Sequence, residues 1–170
     1  QRIPAGAFEY KKAVEDLNNH LRKKFGIKPV MGEDNYQFAF NDKMIEQAGK
    51  DKDDVIEEAI KFLKQDPQYI FVFDEEHVAT ETMPDFIKTR MLNGYMRNRS
   101  GEIGVVTRAQ FFGAKNSPDY IGTQHGQPYP YDTHIPWVMY GWHVNHGESA
   151  QEVTINDIAA TVCAMLKIQM

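Results

Sequence analysis

Two histidines lie in a turn-rich segment that runs from Gly122 to Trp142 and ends in a short apolar stretch. Gly126 follows His125 directly, and a glycine lets the backbone approach a ligand while the neighbouring imidazole stays accessible. His134 comes nine residues later, immediately before the apolar stretch. Because neutral imidazole is a common ligand of zinc in proteins, this segment predicts a contribution to a metal site.

The carboxylate of Asp132 could orient one of these imidazole rings by accepting a hydrogen bond from its second nitrogen. Two histidines do not complete the four-ligand shell of a zinc ion. A surface loop with two hydrogen-bonded histidines is therefore the alternative to a metal site. If the metal site is correct, its other ligands lie outside this chain.

No other segment offers a complete set of catalytic residues. Asp74 to His77 follows a predicted buried strand, but three successive acids cannot all point to one side of an extended segment, and we interpret them as a solvated strand end. His143 and His146 flank a turn and are predicted to be exposed. The sequence contains neither a nucleophile elbow nor a phosphate-binding glycine loop. We therefore assign no catalytic residue within this chain.

The elements that position these residues follow from apolar periodicity and from helix-end signals. The predicted strands are Tyr36–Phe40, Tyr69–Phe73, Glu102–Thr107 and Ile135–Tyr140. The predicted helices are Ala7–Phe25, one from Asp53 or Asp54 to Leu63, one that starts around Thr82 and Asp85, and one that Thr154 and Asp157 cap. The stretch from Ala114 to Tyr131 is predicted to be a long loop, and loops of this length in compact domains are usually functional or disordered.

Strands and helices alternate along the chain, so the predicted class is α/β with a mixed sheet flanked by helices. We treat residues 1–170 as a single piece of a larger domain, with a helical segment at about 7–65. A segment of strands, helices and the metal loop follows at about 66–170.

Composition excludes several classes of function. The net charge of −5 argues against an extended basic surface for duplex nucleic acid. No apolar run approaches the roughly 20 residues that span a bilayer, and no signal peptide opens the chain. A single cysteine, Cys163, cannot form an internal disulfide or a thiolate zinc cluster.

Several short motifs, in a fixed order over nearly the whole chain, resemble the C-terminal portion of the alkaline phosphatase superfamily. The nearest group is the bacterial alkaline phosphatases that are similar to nucleotide pyrophosphatases and phosphodiesterases. The matching segments are Ile3–Gly6, Arg99–Ile103, Gly122–Gly126, Tyr131–Pro136 with Tyr140–Gly141, and Thr154–Ala159.

The resemblance implies a zinc-dependent phosphate-ester hydrolase with two zinc ions and the C-terminal part of an alkaline-phosphatase-like fold. The late histidine ligand of that family corresponds to His125, because its neighbours match the family's Gly-X-X-His-Gly loop. His134 is the alternative ligand, and otherwise it is structural or orients a ligand together with Asp132. The nucleophile and the remaining ligands are expected upstream of this chain.

These expectations have consequences for the isolated chain. It should bind zinc weakly if at all, should not hydrolyse phosphate esters, and should expose an apolar surface or self-associate to cover one. Two rival hypotheses are a non-catalytic interaction domain that keeps the scaffold and a sulfatase or phosphodiesterase relative. The resemblance also implies a periplasmic or secreted location.

Overall fold

The computed structural model describes residues 5–114, 119–122 and 124–169. The strands are β1 (Gly6–Phe8), β2 (Val30–Asp34), β3 (Gln37–Phe40), β4 (Tyr69–Asp74), β5 (Ile103–Thr107) and β6 (Phe111–Gly113). The helices are α1 (Tyr10–Phe25), α2 (Asp42–Gln47), α3 (Lys52–Leu63), α4 (Asp85–Gly94), α5 (Pro130–Thr133) and α6 (Asn156–Leu166), with a 3₁₀ helix at Glu75–Thr80.

Four strands form an antiparallel sheet in the order β2-β3-β5-β4. β1 and β6 form a parallel pair, in which Gly6 lies opposite Phe111 and Phe8 lies opposite Gly113. Parallel and antiparallel pairing with flanking helices confirms the predicted α/β class, with the two kinds of pairing in separate sheets. The strands predicted at Tyr69–Phe73 and Glu102–Thr107 are confirmed as β4 and β5.

Both faces of the four-stranded sheet are covered. On one face, α1 and α3 pack over a core that includes Phe38, Val72 and Val105. On the other face, a second cluster joins Phe73 and Val106 to residues of the 3₁₀ helix and α4. Every residue of β5 is buried, as expected for a central strand whose alternate side chains enter two cores.

The first helix confirms its predicted end but begins later than predicted. Leu17 and Leu21 are fully buried, and Gly26 ends the helix with a left-handed φ of 82°. Residues Gly6–Phe8 form β1 instead of the first turn of Ala7–Phe25, because they pair with β6. The prediction of the start was wrong because apolar spacing along a segment cannot reveal a strand partner far away in sequence.

The cap of α3 also differs from the prediction. The side chain of Asp51 accepts hydrogen bonds from the backbone N–H groups of Asp53 and Asp54 at 2.9 and 3.2 Å. These two residues therefore lie in the first turn, where acidic side chains favour the positive end of the helix dipole. The helix ends at Leu63, as predicted.

The segment Ile135–Tyr140 is not a strand, and that part of the prediction was wrong. Its residues adopt no regular structure, and the side chains of Val138 and Tyr140 are 82% and 100% exposed. A β-strand gains stability from a hydrogen-bonded neighbour and from packing on one face. No strand of the described residues pairs with this segment, so its apolar pattern alone does not make it extended β structure.

Two compact units divide the chain, one reaching to His134 and the other beginning at Ile135. The predicted division near residue 65 stays a prediction. In the second unit, both the backbone N–H and the hydroxyl of Thr154 donate to the Asp157 carboxylate, at 2.7 and 3.0 Å. The predicted capping by Thr154 was nevertheless wrong, because the N-cap of α6 is Ile155 and no side chain caps the helix.

The second unit exposes much apolar surface. None of its described residues is buried. On α6, Ile158 and Val162 are each 43% exposed and Leu166 is 55% exposed, although their spacing is typical of a helix face that packs on a core. The predicted exposed apolar surface is therefore present. None of the described helices is both long and apolar enough to cross a membrane.

Candidate metal-ligand loop

The candidate site lies in the histidine loop, by which we mean residues 119–134; within it, Thr123 is outside the described residues. The loop follows β6 after residues 115–118, which also lie outside the described residues. Its described residues have no helix or strand before α5 begins at Pro130, so the predicted long loop is confirmed in the part that the structure describes.

Two tyrosines anchor the C-terminal half of the loop to the end of the main sheet. The hydroxyl of Tyr129 donates to the backbone carbonyl of Thr107, the last residue of β5, at 2.6 Å. The hydroxyl of Tyr131 accepts from the backbone N–H of Gln110 at 3.0 Å. The two rings stack with their centroids 5.5 Å apart, and Tyr129 also packs on the second core cluster. This part of the loop is therefore tied to the fold by both polar and apolar contacts.

The Asp132 carboxylate closes the loop on itself. Its Oδ2 atom accepts from the backbone N–H of Gln127 at 2.9 Å, and the Thr133 hydroxyl donates to the Tyr129 carbonyl at 3.1 Å. Asp132 thus stabilises the turn next to His125. Its proposed role as a partner of a histidine ring stays a prediction.

A glycine gives the backbone beside His125 an unusual conformation. Gly126 has a φ of +115°, which side-chain-bearing residues rarely adopt. A Cβ atom at this position would lie 3.3 Å from Cε2 of the Tyr36 ring. The Tyr36 hydroxyl in turn accepts from the backbone N–H of Gly113 at 3.0 Å. The loop backbone therefore packs closely on Tyr36, which also contacts β6.

Both histidines that the sequence offers as ligands lie at the surface. His125 and His134 have solvent-accessible side chains, and the backbone N–H of His134 donates to the Pro130 carbonyl at 2.9 Å. In the described parts of the chain, no three His, Cys, Asp or Glu side chains come together closely enough to hold a metal ion. These residues alone do not fit a zinc centre, which needs about three or four protein ligands. His125 and His134 thus each present one exposed imidazole in the histidine loop.

The acidic segment at the end of β4 differs from our interpretation as a solvated strand end. Glu75 is buried, with 2% of its surface exposed, whereas Glu76 and His77 are exposed. Burial raises the pKa of Glu75 to about 7. The interpretation was wrong for this residue because Gly104, on the neighbouring strand, has no Cβ: one placed there would lie 2.4 Å from Oε1 of Glu75. The space for the carboxylate is created by another strand, which the local pattern does not show.

His77 and Asp74 form an exposed pair next to this buried carboxylate. The His77 Nδ1 atom lies 3.0 Å from Oδ2 of Asp74, and this hydrogen bond raises the pKa of the His77 imidazole. The pair is exposed to solvent, and no third His, Cys, Asp or Glu side chain of the described residues joins it to form a metal site. His143 and His146 are exposed, as predicted.

Gly126→Ala should loosen the histidine loop. A φ of +115° costs an alanine about 1–3 kcal/mol, and the new methyl group would press on Tyr36. We expect the amide of Gln127, which is bonded to Asp132, to exchange with solvent about tenfold faster or more. Hydrogen exchange followed by NMR measures this rate.

Gly32→Ala is the matched control for that variant. Gly32 has no heavy atom within 4 Å of an added Cβ and lacks the positive φ. We expect it to leave the Gln127 exchange rate unchanged. Equal exchange rates in wild type and Gly126→Ala would show that the loop does not depend on this glycine.

No protein-family model matches the chain. Among known proteins, it is similar to a protein named calcium-transporting ATPase from Myroides odoratus, with 37% identity over 99% of this chain and 31% of that protein. It is 32% identical to alkaline phosphatase PafA from Elizabethkingia meningoseptica, over 99% of this chain and 30% of that protein. It is 30% identical to alkaline phosphatase PhoV from Synechococcus elongatus, with the same coverage of both chains.

Solved structures show the same relationship in three dimensions. The crystal structure of wild-type alkaline phosphatase PafA matches with a TM-score of 0.81 and 33% identity, over 98% of this chain and 31% of that one. A PafA variant with four substitutions matches with a TM-score of 0.80 and the same identity and coverage. The chain therefore spans about a third of the length of the curated relatives it matches.

Proposed function

Because this chain is a partial member of the alkaline phosphatase superfamily, we propose that it is the C-terminal part of an enzyme that hydrolyses phosphate esters with the help of zinc. The observation that carries the proposal is the match of nearly the whole chain to alkaline phosphatase PafA, at a TM-score of 0.81. A match of this extent includes the histidine loop as well as the core.

The name of the Myroides relative denotes a different activity, ATP hydrolysis coupled to calcium transport. Cleavage of ATP also breaks a bond to phosphorus, so the two names share a reaction at a phosphoryl group. We base the proposal on the alkaline phosphatases, since two relatives and both solved structures carry that name.

Within this function we assign His125 as one late zinc ligand. Its exposed imidazole is next to Gly126, in a loop that Tyr129 and Asp132 hold in place. His134 is the alternative ligand. Zinc, when bound, would polarise the phosphoryl group and stabilise the charge on the attacking and leaving oxygens. The role of the residues in this chain would be to hold one exposed imidazole in a loop that Tyr129 anchors to the core.

We also propose that the nucleophile and the other ligands belong to the part of the protein that these 170 residues do not include. The choice among phosphate monoesters, diesters and sulfates would then depend on pocket residues outside this chain. The similarity to alkaline phosphatases supports phosphate esters as the substrate class and a periplasmic or secreted location.

The exposed apolar side chains of α6 support a further part of the proposal. In the full-length protein other segments would cover them, and in the isolated chain self-association would do so. An isolated piece of a larger scaffold is therefore expected to self-associate. Light scattering on the isolated chain tests the point, because a monomer at high concentration would contradict it.

The function is tested by assaying the full-length protein and the 170-residue chain side by side. Each is given p-nitrophenyl phosphate, bis-p-nitrophenyl phosphate and p-nitrophenyl sulfate, with zinc or with a chelator. We expect the full-length protein to hydrolyse at least one phosphate ester, to lose this activity with chelator and to regain it with zinc. The isolated chain should stay at background, since one imidazole does not complete a catalytic site. Zinc-dependent turnover by the isolated chain, or none by the full-length protein, would refute the proposal.

A further inference from the structure

A cavity of about 120 Å³ lies beside the histidine loop, between that loop, the ends of β3 and β5, and α4. Its lining includes the polar residues Gln37, Glu75, Arg90 and Gln127. We call it the polar cavity. At a liquid-water share of about 30 Å³ per molecule, it has room for a small ion with a few waters.

Glu75 brings a carboxylate to this cavity with one oxygen unused. Its Oε1 atom accepts a hydrogen bond from Nε2 of Gln37 at 2.9 Å. The Gln37 amide is itself oriented, because its Oε1 atom accepts from the backbone N–H of Gly101 at 3.0 Å. The Oε2 atom of Glu75 is buried and has no hydrogen-bond partner among the described residues. A buried carboxylate oxygen without a partner costs folding free energy, so it calls for a positive or donating group.

Gln127 brings a second unpartnered group. It is 4% exposed, and neither the oxygen nor the nitrogen of its side-chain amide finds a partner in the described parts of the chain. Its backbone N–H donates a hydrogen bond to Asp132, so the backbone from which the side chain extends is fixed. Two nearly fully buried polar side chains from distant segments thus line one cavity with unused hydrogen-bonding atoms.

Arg90 is the other charged residue in the lining that the structure describes, and one of its guanidinium nitrogens, Nη1, is engaged outside the cavity lining. Its Nη1 atom donates to the Phe86 carbonyl at 2.8 Å, and its Cζ atom lies 5.6 Å from the centre of the Phe86 ring. Among the described residues no ion pair joins Arg90 to Glu75. Asp74, the neighbour of Glu75 in the chain, adds negative charge and helps to raise the pKa of the Glu75 carboxyl.

We propose that the polar cavity is a binding site for a monovalent metal cation, K⁺ or Na⁺, held by the Glu75 carboxylate and the Gln127 amide oxygen. One carboxylate supplies one negative charge, which matches a singly charged ion. Buried charges in proteins are paired or coordinate metals, and oxygen donors suit hard cations. A divalent ion would be expected to require more carboxylates, and an anion would be repelled by Glu75.

The site would connect the ion to the histidine loop. Gly126 lines the cavity together with Gln127. These two residues follow His125 directly in sequence, so the ion would lie next to the backbone that carries this histidine. A bound ion would therefore stiffen the backbone that carries His125. The inference is independent of phosphate-ester hydrolysis, because it rests on the cavity and on its unpartnered atoms.

Thermal unfolding in different salts tests the proposal. The 170-residue chain is unfolded at pH 8 in KCl, NaCl or choline chloride at equal concentration, since choline is too large and has no N–H group to replace the ion. We expect K⁺ or Na⁺ to raise Tm by a few degrees over choline. The pKa of Glu75 is about 7, so its carboxylate is charged at pH 8 and protonated at pH 5.5, where the difference should disappear. Equal Tm values in all three salts at pH 8 would overturn the proposal.

Three variants identify the group that responds. Glu75→Gln should abolish the salt difference. Glu33→Gln removes another carboxyl whose pKa burial raises to about 7 but which does not line the cavity, so it should keep the difference. Arg90→Ala should keep it as well. A salt difference that survives Glu75→Gln would overturn the proposal. A salt difference that appears only in Arg90→Ala would overturn it as well, since Arg90 would then be the group that neutralises Glu75 in the wild-type chain.

A direct measurement covers the case in which Glu75→Gln fails to fold. Crystals of the wild-type chain are soaked in a thallium(I) salt, whose ion substitutes for K⁺ and scatters anomalously. We expect an anomalous peak bonded to Oε2 of Glu75. A cavity without such a peak would overturn the proposal whether or not the full-length protein hydrolyses phosphate esters.

Discussion

In the full-length protein, His125→Ala should remove one zinc ion per molecule and reduce phosphate-ester hydrolysis by at least about 100-fold. Changes to residues that only orient a zinc ligand typically cost 10- to 100-fold, and loss of the ligand itself should cost at least as much. The variant should keep the wild-type fold, because the His125 side chain is exposed and packs in neither core cluster. Zinc per molecule by atomic emission and initial rates on p-nitrophenyl phosphate measure the two effects.

His134→Ala is the matched variant, because His134 is also an exposed imidazole in the histidine loop. We expect it to keep its zinc and to lose much less activity. If His134→Ala loses the zinc and His125→Ala does not, the ligand is His134 and our assignment is wrong, although the proposed function stands. If neither variant changes zinc content or rate, the histidine loop takes no part in metal binding.

Phe38→Ala should lower the free energy of unfolding of the isolated chain by about 3–5 kcal/mol, a large share of the 5–15 kcal/mol typical of whole domains. Phe38 is fully buried in β3, in the core cluster that joins the sheet to α1 and α3. Truncation removes buried ring atoms and leaves a cavity between three elements. Urea unfolding followed by far-ultraviolet circular dichroism gives the change.

Phe86→Ala controls for the loss of a phenyl ring as such. Phe86 is 46% exposed on α4, where its ring contacts the Arg90 guanidinium. We expect a loss of no more than about 1 kcal/mol. If both variants lose equal stability, the core around Phe38 contributes less than the structure indicates.

The sequence was most informative where an element is decided by its own residues or by burial on both faces. The continuous apolar run of β4 predicts a buried strand, the apolar residues Ile103, Val105 and Val106 predict β5, and both strands enter the two cores. The left-handed end of α1 at Gly26 follows from the freedom of glycine. The sequence was misleading for Ile135–Tyr140, because this segment has the apolar pattern of a strand but pairs with no strand of the described residues.

Prediction of the site met a similar limit. The local motif around His125 identifies a loop with an accessible imidazole, and the structure places that residue in an anchored loop. Burial of Glu75 depends instead on the missing side chain of Gly104 in another strand, and burial of Gln127 depends on how the loop packs. Such features arise between segments far apart in sequence, so a single local pattern does not contain them.

The parallel pairing of β1 with β6 has a consequence for the order in which the chain folds. Gly6 and its partner Phe111 are separated in sequence by helices α1 to α4 and by all four strands of the antiparallel sheet. Closing so long a stretch costs more entropy than forming the neighbouring hairpin of β2 and β3, and non-local contacts of this kind slow folding. A nascent chain that ends before Phe111 lacks the partner of β1, so β1 can join the fold only after all four strands of the antiparallel sheet have been synthesised.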